Sequence, residues 1–115
     1  MPLINITVSS HLDETRKDNL LKSCSRILAG TTGKPEAYTM AVIQDCRLSF
    51  AGNVVKGAFV DIRGIGGLTQ DVNKRLSMAI CDLLKKELQI APEHVYMTFT
   101  DVPAANWGWK GATFG

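Results

Sequence analysis

The sequence predicts an α+β fold: two βαβ units that share one four-stranded mixed sheet, with two helices on one face of it. Three observations lead there. Strand-like and helix-like stretches run strand, helix, strand, and then repeat that order. Two segments carry apolar residues at helical spacing: Leu20, Leu21, Cys24, Ile27 and Leu28 in one, Val72, Leu76, Ile80, Leu83 and Leu84 in the other. The halves also resemble each other. Pro35-Glu36 followed by Met40 recurs 57 positions later as Pro92-Glu93 followed by Met97, and the same offset carries Cys24 onto Cys81, Leu21 onto Met78 and Ile27 onto Leu84. A repeat of that length is one βαβ unit used twice, about 1–57 and 58–115, within a single domain of 115 residues.

The elements follow in order. Leu3 to Val8 is β-branched-rich and reads as a strand that starts at once, with no signal sequence before it. Pro2 stands at its edge, where a missing N–H costs nothing. Asp13 is an N-cap with Glu14 in the first turn, and Gly30 and Gly33 stop the helix. Lys34-Pro35-Glu36 is a turn, Tyr38 to Ile43 a second strand, and Ser49 to Asn53 a loop or short hairpin. Lys56 to Ile62 is a third strand running into Gly64-Ile65-Gly66-Gly67. Thr69 caps the second helix and Pro92 ends the link out of it. Val95 to Thr100 alternates as a fourth strand, and the tail from Trp107 to Phe114 is aromatic and glycine-rich. Each unit takes a right-handed crossover. Two helices cover only one sheet face. The other, to which Met40, Val42, Phe59, Val60, Met97 and Phe99 add apolar area, implies subunit packing in a closed oligomer.

Composition narrows the function. A net charge of +2, with Arg16, Lys17, Lys22, Lys85 and Lys86 set among acidic neighbours on helices, is no nucleic-acid footprint. No apolar run reaches transmembrane length. Three cysteines, Cys24, Cys46 and Cys81, without Cys-x-x-Cys or Cys/His pairing, argue against a disulfide framework or a zinc site; Cys24 and Cys81 fall on apolar helix faces. His11 and His94 are isolated.

Pro2 has two readings. It starts a buried strand, or, with Met1 removed, it is a free secondary amine on a rigid support. An α-amine titrates near ~8 in water, and burial or a nearby cation lowers it toward neutrality, which makes a general base without a side chain. Gly64-Ile65-Gly66 partly matches a dinucleotide fingerprint, but the third glycine is missing and the chain is too short for a doubly wound sheet. A tight turn, or a cradle of backbone N–H groups for a small anion, remains. Lys34 is a surface lysine unless its stiff turn approaches Pro2. Tyr38, Tyr96, Trp107, Trp109 and Phe114 are core, interface or the walls of an apolar pocket.

Met-Pro-Leu-Ile-Asn at the start, Thr-Gly-Lys-Pro at 32 to 35, Gly-Ile-Gly at 64 to 66, Val-Tyr at 95 to 96 and Asn-x-Gly-Trp…Thr-Phe at 106 to 114 occur together in this order. In this the chain resembles the macrophage migration inhibitory factor family of the tautomerase superfamily, over its whole length. The resemblance implies three subunits whose sheets form a central barrel, with sites between subunits. It implies keto–enol tautomerisation of phenylpyruvate-like α-keto acids, with dopachrome-type compounds as test substrates and no cofactor or metal. It maps the family's catalytic proline onto Pro2, its carboxylate-binding lysine onto Lys34 and its backbone N–H ligand onto Ile65. The pocket aromatics map onto Tyr38, Tyr96 and Phe114, and a neighbouring tail tryptophan onto Trp109. It implies a cytoplasmic homotrimer, or alternatively a cytokine-like ligand that leaves cells without a signal peptide, binds a receptor protein and keeps a secondary or vestigial pocket. The departures are specific. Thr98 stands where animal members have an asparagine donated to a neighbour's substrate, Gly64 where they have a serine, and Trp107 where they have a valine. Gly57 to Val60 replaces their Cys-x-x-Cys.

Overall fold

The computed structural model describes residues 1–115. Strand β1 (Pro2–Val8) is central, and its burial alternates with period two, Pro2, Ile4, Ile6 and Val8 pointing into the core. Helix α1 (Glu14–Thr32) begins at Asp13, whose carboxylate accepts from the Arg16 N–H at 2.8 Å. Leu20, Cys24 and Leu28 form its buried stripe. Gly30 does not stop it. The helix runs on to Gly33, which takes the left-handed conformation (φ 72°) and donates its N–H to the Ala29 carbonyl at 2.9 Å.

Strand β2 (Met40–Asp45) starts two residues later than the sequence predicts, because Glu36–Tyr38 forms a 3-10 turn. A short hairpin, β3 (Ser49–Phe50) and β4 (Asn53–Val54), turns through Ala51 and Gly52, both at positive φ, as a two-residue type I′ loop requires. Strand β5 (Ala58–Gly64) follows, then helix α2 (Gln70–Leu88), capped by Thr69 accepting from the Val72 N–H. Strand β6 (Val95–Asp101) completes the main sheet, and a second hairpin, β7 (Gly108–Trp109) and β8 (Ala112–Thr113), ends the chain.

The sheet order is β2-β1-β5-β6. β1 runs parallel to β2 and β5 parallel to β6, while β1 and β5 meet antiparallel at the centre. Two βαβ units thus make the one mixed sheet that the sequence predicts, and the structure joins them through their first strands. Leu28, Ile62, Leu76, Ile80 and Leu84 are fully buried between sheet and helices. Each such side chain contributes ~1.5–3 kcal/mol relative to exposure.

The uncovered face differs from expectation. Val60 pairs with Ile6, and Met97 and Phe99 pair with Val60 and Ile62, so all three lie on the helix side. The uncovered face instead carries Leu3, Met40, Val42, Phe59 and Tyr96 around a polar centre. There Asp61 accepts from Arg63 and from the Thr98 hydroxyl, and the buried Asn5 Oδ1 has no partner. An orphaned buried acceptor and Phe59 and Tyr96, exposed at 44% and 67%, leave this face chemically incomplete in one chain.

Candidate active site

Pro2 is buried at the start of β1, opposite Gly64 at the end of β5. Beside it opens a cavity of about 370 Å³ whose lining is mostly apolar and includes Met1, Pro2, Tyr38, Trp107, Trp109 and Phe114. The aromatic wall is built by contact. Trp109 stacks on Phe114 (centroids 5.7 Å, planes 12° apart) and Tyr38 meets Trp109 edge-on at 5.6 Å. Lys110 lies over the Trp109 ring at 5.0 Å. Tyr38 reaches the cavity through the 3-10 turn after Pro35, and the tail hairpin brings Trp109 and Phe114.

Lys34 stands directly after the left-handed Gly33 and before Pro35, so its backbone is fixed at the end of α1. Its Nζ donates to the Ile65 carbonyl at 3.0 Å. Gly67 (φ 84°) makes room for this reach, since a Cβ there would lie 3.0 Å from Lys34 Cε. Ile65 follows the residue that pairs with Pro2, so the Lys34 turn does approach the N-terminus. The electrostatics agree: the amine of Met1 is held below its ordinary value, first by burial and second by repulsion from Lys34. A terminus trimmed to Pro2 would place that amine on the buried residue itself.

Within Gly64 to Gly67, the Gly66 N–H is not free to cradle an outside anion. The Gly66 N–H donates at 2.7 Å to the Asp101 carboxylate, and the Gly64 carbonyl accepts from Val102. An internal anion already occupies the turn, and it braces the Ile65 carbonyl that holds Lys34. Asp101 carries no signal in the sequence, because 35 residues separate it from its partner.

Of the expected site residues, Lys34 and Ile65 stand bonded to each other at the Gly64–Gly67 turn and do not line the cavity, and Tyr96 is brought to neither place within the chain. Tyr96 pairs with Phe59, which pairs with Thr7, so it lies five positions along β1 from Pro2, roughly 17 Å at strand rise. It packs instead against Phe50 at 5.2 Å. The cysteines stand apart from the cavity. Burial pushes the Cys24 thiol up to about 12, and burial followed by the charges of Asp45 and Asp82 raises Cys46 and Cys81. A larger cavity of about 540 Å³ around Cys46, Arg47 and Lys56 therefore holds no ready thiolate. No group of three His, Cys, Asp or Glu is placed to hold a metal ion, and no helix is long and apolar enough to cross a membrane.

The family model for macrophage migration inhibitory factor matches residues 1–115. The chain belongs to the macrophage migration inhibitory factor family. Macrophage migration inhibitory factor of Xenopus laevis is 34% identical over 115 residues, covering 99% of each chain. The crystal structure of the macrophage migration inhibitory factor-like protein of Entamoeba histolytica superposes with a TM-score of 0.94 at 33% identity, covering 98% of both chains. The homologue from Prochlorococcus marinus gives 0.93 at 36% identity, over 98% of this chain and 99% of that one. These likenesses span both βαβ units, so the four-stranded mixed sheet and two helices are the tautomerase-superfamily fold of this family.

Proposed function

We propose that the chain is a tautomerase of aryl α-keto acids such as phenylpyruvate, with the nitrogen of Pro2 as general base and Lys34 as the carboxylate-binding cation. The observation that carries this reading is the pairing of a buried N-terminal proline with an aromatic cavity and a terminal amine held low first by burial and then by the fixed Lys34.

The chemistry follows from the geometry. With Met1 removed, Pro2 is a secondary amine in apolar surroundings. Burial disfavours its ammonium form and Lys34 repels it, so the neutral base persists to lower pH than for a free amine. The amine takes the proton from the enol hydroxyl, becomes an ammonium, and delivers a proton to the adjacent carbon. The result is the ketone, with no net oxidation and no lost atom. The reverse direction exchanges the roles of carbon and oxygen. Lys34 uses one N–H on Ile65 and has two more to offer a substrate carboxylate. The Ile65 N–H, beside the same turn, is the second ligand for that group. Tyr38 and Phe114 contact the aryl ring, with Trp109 packed behind them.

Tyr96 joins this site from a neighbouring copy in a homotrimer. The uncovered face, with its exposed Phe59 and Tyr96 and its unpaired Asn5, supports that assembly. The experiment is enol-to-keto exchange of phenylpyruvate by the purified protein and its Pro2→Gly variant. Fast exchange that Pro2→Gly loses is expected; equal rates in the two would overturn the assignment of Pro2.

A further inference from the structure

Two cavities meet at Trp107. One is the cavity beside Pro2. The other, about 230 Å³, lies between Arg63, Val102 and Asn106 at the end of the uncovered sheet face. Leu3, Trp107 and Gly108 line both. Gly108 offers no side chain and Leu3 is fixed in β1, so the indole of Trp107 is the bulky part of the partition. Its backbone is tied on both sides: the Trp107 N–H donates to the Ala104 carbonyl and its carbonyl accepts from the Phe114 N–H, each at 3.2 Å. The tail behind is close-packed, since a Cβ on Gly115 would come within 2.7 Å of the Ala105 nitrogen. The second cavity carries little net charge, because Arg63 directs Nε and Nη2 to the Asp61 carboxylate at 3.1 and 3.0 Å. It suits an extension of a neutral ring better than a second anionic group.

We propose that Trp107 sets the ring size that the Pro2 site accepts: its indole confines the site to a single aryl ring, and the space behind it, toward Arg63, would take the second ring of a bicyclic aryl α-keto acid. This inference rests on the tautomerase reading. The backbone ties leave the indole free to be exchanged without disturbing the hairpin that carries Trp109 and Phe114.

The test compares enol-to-keto exchange of phenylpyruvate and indole-3-pyruvate by the wild type, Trp107→Ala and Trp107→Phe. Wild type favours phenylpyruvate. Trp107→Ala raises the kcat/KM ratio of indole-3-pyruvate to phenylpyruvate by about tenfold or more, the low end of the discrimination that a single methylene brings in a hydrophobic pocket. Trp107→Phe, which keeps an aromatic wall, raises it less. Binding of indole-3-acetate, followed by calorimetry, needs no turnover and tightens in Trp107→Ala. An unchanged ratio in Trp107→Ala, with wild-type circular dichroism, overturns the inference. It is also the result expected if a neighbouring subunit fills the Arg63 cavity. If Trp107→Ala does not fold, Trp107→Phe and Trp107→Leu carry the comparison, and a ratio unmoved in both overturns it. If the wild type turns over neither substrate, the tautomerase reading fails, and indole-3-acetate binding alone decides the role of Trp107: no gain in Trp107→Ala overturns it.

Discussion

Replacing Lys34 with alanine perturbs two quantities that the geometry links. The Lys34 ammonium is the cation that acts on the N-terminal amine, and in the proposed mechanism the N–H groups it does not spend on the Ile65 carbonyl bind the substrate carboxylate. A hydrogen bond to a charged partner is worth ~1.5–3 kcal/mol. At about 1.4 kcal/mol per factor of ten, Lys34→Ala should raise KM for phenylpyruvate roughly 10- to 100-fold, with a smaller effect on kcat. The second consequence is a pH shift. Lys34 is the lesser of two causes that lower the terminal amine, burial being the larger. A base with a lowered pKa is active above that pKa and is lost as pH falls through it. Without Lys34 the acid limb of kcat/KM should therefore move to higher pH, yet stay below the ordinary amine value near ~8, because burial remains. Steady-state kinetics across pH 5 to 9 on the Met1-processed variant reads both. An unchanged KM together with an unmoved acid limb would remove Lys34 from the site.

Other outcomes follow from the same geometry. Asp101→Ala frees the Gly66 N–H and loosens the turn that holds Lys34 through Ile65, so KM for α-keto acids should rise while turnover persists; wild-type KM in this variant would show that the turn needs no brace. Light scattering on a sizing column should give three times 12.5 kDa, and a stable monomer at micromolar concentration would deny the site its second chain. With thiols raised by burial and no Cys-x-x-Cys, the protein should not reduce insulin disulfides; turnover abolished by alkylation of Cys46 would contradict that.

The helices were legible because their signals are local. Asp13 and Thr69 cap as the sequence predicts, and the period of the apolar residues places Leu76, Ile80 and Leu84 on the buried face of α2. Local signals failed where a distant partner decides. Tyr38 has the character of a strand residue, yet its N–H bonds back to the Pro35 carbonyl and turns the chain once before β2 begins. Gly57 lies outside β5 because Ser9 claims both its N–H and its carbonyl, and a Cβ there would come within 2.6 Å of the His94 carbonyl. Val60, Met97 and Phe99 lie on the helix side and not on the uncovered face that the sequence predicts for them, since parity along a strand names a side only once its register to β1 is known. Of the candidate site, Pro2, Tyr38, Phe114 and Trp109 come together at one cavity, with Lys34 and Ile65 bonded at the adjoining turn. Tyr96 stands far from them along the strands, a separation that composition and spacing do not encode.

The base assigned to Pro2 exists only as an amine. While Met1 is attached, the Pro2 nitrogen is an amide without basicity, and Met1 itself lines the cavity. The decisive measurement pairs intact-mass spectrometry with phenylpyruvate tautomerisation on two preparations of one sequence, one processed and one retaining Met1. The processed protein should be active, with rate rising through a single ionisation below that of a free amine, and the Met1-retaining protein nearly inactive. Fast tautomerisation by a preparation whose mass shows Met1 fully present would contradict an N-terminal base.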